Sequence, residues 1–252
     1  MKICYFTATG NCLYVARRIG GEVLSIPQLM KNDDIVVEDD VVGIVCPVYA
    51  GEMPGMVRSF LAKTKIKKNY LFFIYTYGMN KSVAELNAVS ATQKAGLNLD
   101  YCNSVIMVDN YLPGFEAQHQ MDTVGEKKVD EQIDLIIQDI KARKRNVSPN
   151  NILKKATVSV VHNTFAKALL KPTSAKSYIV NDNCIRCGIC AKVCPANNIK
   201  VSDRVYFSDH CEVCYACIHN CPKNAIHLKN ERSSVRFRNE HIALKDIIAA
   251  NE

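Results

Sequence analysis

The sequence predicts an α/β domain with a parallel sheet, followed by a small cysteine-rich domain. Apolar runs of strand length alternate with helical patterns over the first part of the chain, which is typical of an α/β fold. Eight of the twelve cysteines fall between Cys184 and Cys221. The hydrophobic content is 48% in 252 residues, so the chain has enough apolar side chains for an ordinary core.

Continuous apolar runs mark the strands, because strands of a parallel sheet are buried on both faces. These runs are KICYF (2–6), VVGIVCPVY (41–49), LFFIYTY (71–77) and SVIMV (104–108). Helical spacing follows each run, in LYVARRIGG (13–21), 54–61, KSVAELNAVSATQKAG (81–96) and a long amphipathic segment, 121–145. Because strands and helices alternate, we expect a doubly wound parallel sheet.

The basic, turn-rich stretch KARKRNVSPNN (141–151) indicates the end of this domain. We expect four parts along the chain. They are an α/β domain at 1–146, a connecting segment at 147–176, a cysteine-rich domain at 177–230 and a tail at 231–252 with a short helix near 242–250.

The cysteine-rich part is an internal repeat. The run Cys184-I-R-Cys187-G-I-Cys190-A-K-V-Cys194-Pro195 recurs as Cys211-E-V-Cys214-Y-A-Cys217-I-H-N-Cys221-Pro222, with every cysteine 27 residues after its counterpart. The similarity continues beyond the cysteines, where PANNIKV (195–201) matches PKNAIHL (222–228). A match of this length indicates duplication rather than chance spacing.

This spacing favours two [4Fe–4S] clusters. Three cysteines separated by two residues can bind three irons of a cubane from one loop, and the fourth cysteine of this pattern serves the other cluster. The expected ligand sets are Cys184, Cys187, Cys190 and Cys221 for one cluster, and Cys211, Cys214, Cys217 and Cys194 for the other. The alternative is a pair of four-cysteine zinc sites, although zinc ribbons usually take separated C-x-x-C pairs.

The segment TATGNC (7–12) lies between the first predicted strand and the first predicted helix. At such a position the backbone N–H groups and the helix dipole attract an anion. Thr7, Thr9 and Asn11 add side-chain donors, and Gly10 allows close approach of the backbone. The segment has no Walker lysine and no G-x-G-x-x-G, so it suits a monophosphate. A plain turn with a helix cap is the alternative.

FTATGNCLYVAR (6–17) resembles the FMN phosphate loop of flavodoxins. Together with the cysteine repeat, the chain resembles bacterial flavodoxin–ferredoxin fusions, the EFR-family ferrodoxins, over nearly its whole length and least at 147–176. CPVYAGEMPGMVRSFL (46–61), YTYGMNKS (75–82) and DNYLP (109–113) resemble the family's flavin-contacting loops. The resemblance implies a flavodoxin-like sheet, a two-cluster ferredoxin-like α+β domain, and FMN.

The resemblance implies the following cofactor-binding residues: Thr7, Ala8, Thr9, Gly10, Asn11, Cys12, Pro47, Val48, Tyr49, Ala50, Gly51, Thr76, Tyr77, Gly78, Asn110 and Tyr111. Cys12 departs from the family pattern, in which a Ser or Thr is usual, and a thiol is a poorer donor to phosphate. The four loops all follow predicted strands. They should therefore share the carboxyl edge of the sheet, where doubly wound folds bind ligands.

Charge and hydropathy restrict the partners. Residues 1–140 have a net charge of −4 and residues 141–252 a net charge of +11. A basic half can bind nucleic acid, but bound clusters and a phosphate-bearing cofactor would cancel much of this charge, and we expect no nucleic-acid partner. No apolar run approaches the roughly 18 residues of a membrane span, and the N-terminus lacks a signal-peptide core. We expect a cytoplasmic protein without membrane insertion.

The favoured function is electron transfer between FMN and two [4Fe–4S] clusters, with redox proteins or a small electron donor or acceptor as partners. The alternative is an FMN-dependent reductase of a quinone, nitro compound or similar acceptor, supplied by its own clusters. No histidine or carboxylate pattern indicates a general acid, so we assign no catalytic residue. Whether the protein is an enzyme stays open, because a flavin itself performs hydride chemistry.

Protein purified without oxygen should contain about eight irons and about eight labile sulfides per chain, because two cubanes require that number. Iron and sulfide assays, together with zinc analysis, would check this. Stoichiometric zinc without labile sulfide would favour the alternative metal site.

Overall fold

The computed structural model describes residues 1–147 and 170–252. Most of the predicted connecting segment, 147–176, lies outside these residues. Its described end contains a 3-10 turn at Pro172–Ser177.

A five-stranded parallel sheet organises the N-terminal half. Within residues 1–147 the strands are, in chain order, β1 (Lys2–Tyr5), β2 (Glu22–Ser25), β3 (Val36–Glu38), β4 (Val41–Pro47), β5 (Lys65–Lys67), β6 (Tyr70–Tyr77) and β7 (Tyr101–Ile106). The sheet has the order β2-β1-β4-β6-β7 with every neighbouring pair parallel, and β3 pairs separately with β5. Counted within the sheet, this is the order 2-1-3-4-5 of flavodoxin-like doubly wound folds.

Helices flank the sheet and the cysteine-rich part. They are α1 (Asn11–Ile19), α2 (Ile26–Leu29), α3 (Gly55–Lys63), α4 (Ala84–Lys94), α5 (Ala117–Asp122), α6 (Val129–Lys141), α7 (Ile189–Lys192), α8 (Ala216–His219) and α9 (Leu244–Asn251). Within residues 1–147 and 170–252, no helix has the length and apolar character needed to cross a membrane.

The long helix predicted over 121–145 is wrong in its extent. The chain forms α5, a 3-10 turn at Val124–Lys127, and then α6. Lys128 has a φ of 47°, a left-handed conformation that a helix interior does not accommodate. The turn is held by the Lys127 ammonium, whose Nζ donates to the Met107 carbonyl at 2.6 Å and to the Gly78 carbonyl at 3.3 Å.

The centre of the core lies between β4 and β6. Residues 71–75 of β6 are fully buried, as the apolar run predicts. Gly43 pairs with Phe72 in the β4–β6 register. The Phe72 ring occupies the space next to Gly43, so that a Cβ built on Gly43 would lie 2.1 Å from the ring. A side chain at position 43 is therefore excluded by close packing.

The cysteine-rich part has the symmetry of its repeat. Its strands are β8 (Ile179–Val180), β9 (Ile199–Val201), β10 (Val205–Phe207) and β11 (Ile226–His227). In the antiparallel pair β9–β10, Ile199 lies opposite Phe207, and in the pair β8–β11 the equivalent residues Ile226 and Val180 lie opposite each other. The end of each repeat thus pairs with the beginning of the other.

Replacing Gly43 by Ala should lower the free energy of unfolding by about 1–3 kcal/mol, because the added methyl would displace the Phe72 ring. Urea unfolding would measure the loss. Gly125→Ala is the matched control, since a Cβ there meets no atom within 4 Å. Equal stability of the two variants would contradict the packing described for β4 and β6.

Candidate functional site

The loops that follow β1, β4, β6 and β7 meet at one edge of the sheet, where they line two adjoining cavities. The smaller has a volume of about 50 Å³ and is lined mainly by residues 7–9, 11–12 and 108–110. The larger has a volume of about 480 Å³ and is lined by residues 48–51, 77–80 and 109–111. Every cofactor-binding residue predicted from the sequence lines one of these cavities, with the exception of Gly10.

Two threonine hydroxyls of the loop are oriented by protein donors. Thr7 Oγ1 accepts from the Gly10 backbone N–H at 3.1 Å, and Thr9 Oγ1 accepts from Asn110 Nδ2 at 2.9 Å. Both threonines are buried. Because each hydroxyl accepts from the protein, its own hydrogen remains available to an anion.

The backbone N–H groups of Thr9 and Asn11 have no acceptor among the described residues. Asn11 is the first residue of α1, a helix of nine residues, so its N–H lies at the positive end of the helix dipole. Free N–H groups beside threonine hydroxyls form a site suited to a phosphate.

The side chains of Asn11 and Cys12 have partners within the protein. Asn11 Nδ2 donates to the Val108 carbonyl at 3.1 Å, which leaves one amide hydrogen for an anion. The Cys12 Sγ lies 3.1 Å from Thr76 Oγ1. Burial raises the pKa of the Cys12 thiol to about 12, so that the thiol is neutral.

Aromatic rings connect the larger cavity with the cysteine repeat. Tyr111 and Tyr215 both line the cavity, and their ring centroids are 6.1 Å apart. The Tyr178 ring lies 6.3 Å from that of Tyr215, and its hydroxyl lies 4.0 Å from the Cys211 Sγ. The Tyr49 hydroxyl, also at the cavity, is buried and has no hydrogen-bond partner among the described residues. A buried hydroxyl of this kind fits a ligand with polar groups.

The carboxyl group of Asp109 lines both cavities, and sequence reasoning did not select it. Its Oδ1 accepts from the Tyr111 backbone N–H at 2.9 Å. Burial raises the pKa of Asp109 above its usual value. Its only signal in the sequence is its position in the segment DNYLP (109–113), next to the predicted site residues Asn110 and Tyr111.

Several thiols that the sequence assigns to one ligand set lie near one another. Burial first, and then the nearby thiols of Cys221, Cys184 and Cys187, raise the pKa of Cys190 to about 11. Burial and the thiols of the second set also raise the pKa of Cys217. Those thiols are Cys214, Cys194 and Cys211, and Cys190 of the first set has a smaller effect.

The fourth cysteine of each run has the same local geometry in both repeats. Cys194 Sγ accepts from the Asn198 N–H, and Cys221 Sγ accepts from the Ala225 N–H, each at 3.3 Å. In the described ranges 1–147 and 170–252, no three His, Cys, Asp or Glu side chains are placed to hold a single metal ion.

The family of 4Fe-4S binding domains matches residues 177–200. The chain joins a flavodoxin-like domain to a 4Fe–4S ferredoxin-type domain. The strand order establishes the first of these, and the family match together with the cysteine repeat establishes the second. A comparison with curated protein sequences gave no match.

Solved structures similar to this chain cover the flavodoxin-like domain. A putative flavoprotein from Bacteroides uniformis is 13% identical, with a TM-score of 0.33, over 49% of this chain and 96% of that one. Megasphaera elsdenii flavodoxin, in its two-electron reduced form, is 16% identical, with a TM-score of 0.31, over 50% and 98%. A flavodoxin from the domain Archaea is 12% identical, with a TM-score of 0.28, over 53% and 99%.

His219, which sequence reasoning placed at the surface or beside a cluster, is buried where the ferredoxin-type and flavodoxin-like domains meet. Its Nδ1 accepts from the Phe237 N–H at 3.1 Å, and its Nε2 lies 2.9 Å from the Asn110 carbonyl. Since Nδ1 accepts, the hydrogen must be on Nε2 and the ring is neutral. Burial lowers the pKa of His219 to about 4, in agreement with this tautomer.

Replacing Cys194 by Ala should perturb the cluster bound by Cys211, Cys214 and Cys217, although Cys194 belongs to the other run. The reason is the exchange of the fourth ligand between repeats. Electron paramagnetic resonance of the reduced protein would distinguish the two clusters, with Cys221→Ala as the matched variant. Damage confined to the cluster of Cys184, Cys187 and Cys190 would show that the ligands do not cross.

Proposed function

We propose that the protein transfers electrons between FMN and two [4Fe–4S] clusters carried by the same chain. The observation that carries this proposal is the composition of the larger cavity. Its walls include the strand-end loops of the flavodoxin-like domain and also Val213 and Tyr215, the two neighbours of Cys214. When bound, a flavin exchanges one or two electrons and each cluster exchanges one.

The residues present fit FMN in two respects. The small cavity offers the Thr7 and Thr9 hydroxyls and free N–H groups to one phosphate. The larger cavity offers the rings of Tyr77 and Tyr111 for contact with an aromatic ring system. It also offers the Tyr49 hydroxyl, which has no partner in the part of the chain that the structure describes, for a polar group. Each expected ligand set supplies four thiols, the number that a cubane requires, and thiols of one set lie near one another.

The two cysteine loops are equivalent in sequence but not in environment. In the second repeat, Glu212 accepts from the Met56 N–H at 3.1 Å, near the beginning of α3, and Cys214 is buried. The equivalent residues of the first repeat are Ile185, which is 58% exposed, and Cys187, which is also exposed. One loop therefore docks on the flavodoxin-like domain, and its counterpart faces solvent.

This difference supports an order for the electron route. The site of Cys211, Cys214, Cys217 and Cys194 would be the inner one, beside the flavin. The site of Cys184, Cys187, Cys190 and Cys221 would be the outer one, where an external redox protein approaches. The exposed Arg186, next to Cys187, favours an acidic partner.

Asp109 favours a second candidate, an FMN-dependent reductase of a small acceptor. A buried carboxyl with a raised pKa keeps its proton to a higher pH than an exposed one, and this carboxyl lines the cavity. An enzyme of this kind should show saturation by one acceptor and a loss of rate in Asp109→Asn. An electron carrier should instead reduce several redox proteins and should depend little on Asp109.

Heating the protein should release FMN rather than FAD, since the small cavity has room for one phosphate and no dinucleotide motif accompanies it. After rapid mixing with a reductant that acts on the clusters, the flavin absorbance should decay with a rate constant independent of protein concentration. A rate proportional to protein concentration would mean transfer between molecules and would refute the single-chain route. Absence of any flavin would refute the FMN assignment.

A further inference from the structure

The C-terminal part of the chain contacts the phosphate loop at each residue from Ala8 to Asn11. Asn220 Nδ2 donates to the Ala8 carbonyl at 3.2 Å, and the Asn239 backbone N–H donates to the Thr9 carbonyl at 2.8 Å. Asn220 and Ala8 are separated by 212 residues along the chain, and Asn239 is still further from the loop.

Asn239 is the residue most closely fitted to the loop. It is 8% exposed, and its Nδ2 donates to Asn11 Oδ1 at 3.2 Å. Its own Oδ1 accepts from the His241 N–H at 3.1 Å, and its carbonyl accepts from the Ile242 N–H at 3.0 Å. Both the Nδ2 and the Oδ1 of Asn239 therefore have a partner, which fixes the orientation of its amide. The hydrogen bond from Nδ2 in turn fixes the orientation of the Asn11 side chain.

Gly10 shows how closely the tail covers the loop. It has a φ of 101°, in the region that favours glycine. A Cβ at this position would lie 2.9 Å from the Ile242 Cβ and 3.0 Å from the Asn239 Cβ. The tail therefore packs directly against the loop backbone, on the side that does not line the small cavity.

The tail is anchored on both sides of Asn239. Before it, the Phe237 N–H donates to His219 Nδ1. After it, the His241 ring stacks on Tyr14 with centroids 4.5 Å apart, and Asp246 accepts from Arg17 at 2.8 Å. Because this segment is held at several points on α1 and α8, it forms a fixed support for the loop.

We propose that residues 237–242 support the FMN phosphate loop from behind, with Asn239 as the positioning residue that holds the loop in the conformation that binds phosphate. The inference rests on the proposed FMN function. Asn220 and Asn239 pair with the loop carbonyls, and the unpaired Thr9 and Asn11 N–H groups remain for the anion. A loop ordered in advance loses less conformational entropy on binding, so FMN affinity depends on a segment that would not touch the cofactor.

The test compares FMN with riboflavin, which has the same ring system without the phosphate. Flavin-free protein retaining its clusters is titrated anaerobically with each ligand, and quenching of flavin fluorescence gives the dissociation constants. Asn239→Ala should weaken FMN binding about 10-fold, as expected for the loss of one buried hydrogen bond and a less ordered loop. Riboflavin binding should stay within about 2-fold, since no phosphate contact is involved.

Asn230→Ala is the matched control, because Asn230 is exposed and lies outside residues 237–242, and this variant should bind both ligands as the unaltered protein does. Asn239→Asp keeps the shape of the side chain but removes the donor to Asn11 and adds a negative charge. It should weaken FMN binding more than Asn239→Ala does, again without weakening riboflavin binding.

FMN affinity unchanged in both Asn239 variants would overturn the inference while leaving the FMN function intact. Equal weakening of FMN and riboflavin would also overturn it, because the effect would then be a general loss of structure. If the unaltered protein bound FMN no more tightly than riboflavin, the phosphate site itself would be wrong and the proposed function would fall with it.

Discussion

The pairing of backbone groups in the loop from Ala8 to Asn11 is the constraint on which the rest of the site depends. Buried carbonyl and N–H groups must find partners, and this loop divides them between two sides. Its carbonyls are paired with Asn220 and the Asn239 N–H. The N–H groups of Thr9 and Asn11 have no acceptor among the described residues. The C-terminal part thereby sets which groups of the loop can meet an anion.

The two cysteine loops are duplicates in sequence but lie in different environments. The repeat builds two similar sites, related by pairing of β8 with β11 and β9 with β10. The copies differ at several positions, and one difference matters for docking: Glu212 stands where the first copy has Ile185. Glu212 accepts from the Met56 N–H, near the start of α3. A carboxylate is stabilised by the positive end of a helix, and the isoleucine in the other copy cannot make this contact. The two repeats therefore differ at the place where one of them contacts the flavodoxin-like domain.

Sequence patterns predicted what depends on local periodicity and spacing. The apolar runs located four of the five sheet strands, and the cysteine spacing located the repeat. β2 escaped prediction because its four residues, EVLS, lie at the sheet edge and form no apolar run. The break between α5 and α6 escaped because the amphipathic pattern continues across Lys128.

The contacts of His219 and Asn239 were beyond prediction for a different reason. Each joins segments separated by more than 100 residues, and an isolated histidine or asparagine carries no pattern in the sequence.

The chemistry of this interface explains why it suits a single chain. Its central contacts are hydrogen bonds of Asn220, Asn239 and His219 to loop backbone and side-chain groups, and buried hydrogen bonds contribute only about 1 kcal/mol each. Two separate proteins would also have to offset the loss of translational and rotational freedom. Covalent connection raises the effective concentration of one part at the other, roughly into the millimolar range for short linkers. The interface also buries apolar side chains, since Val193, Cys214, Ala216 and Ile242 belong to the same core as the sheet strands. Its hydrogen bonds hold the loops of Ala8 and Asn110 against the segment between Cys217 and Cys221.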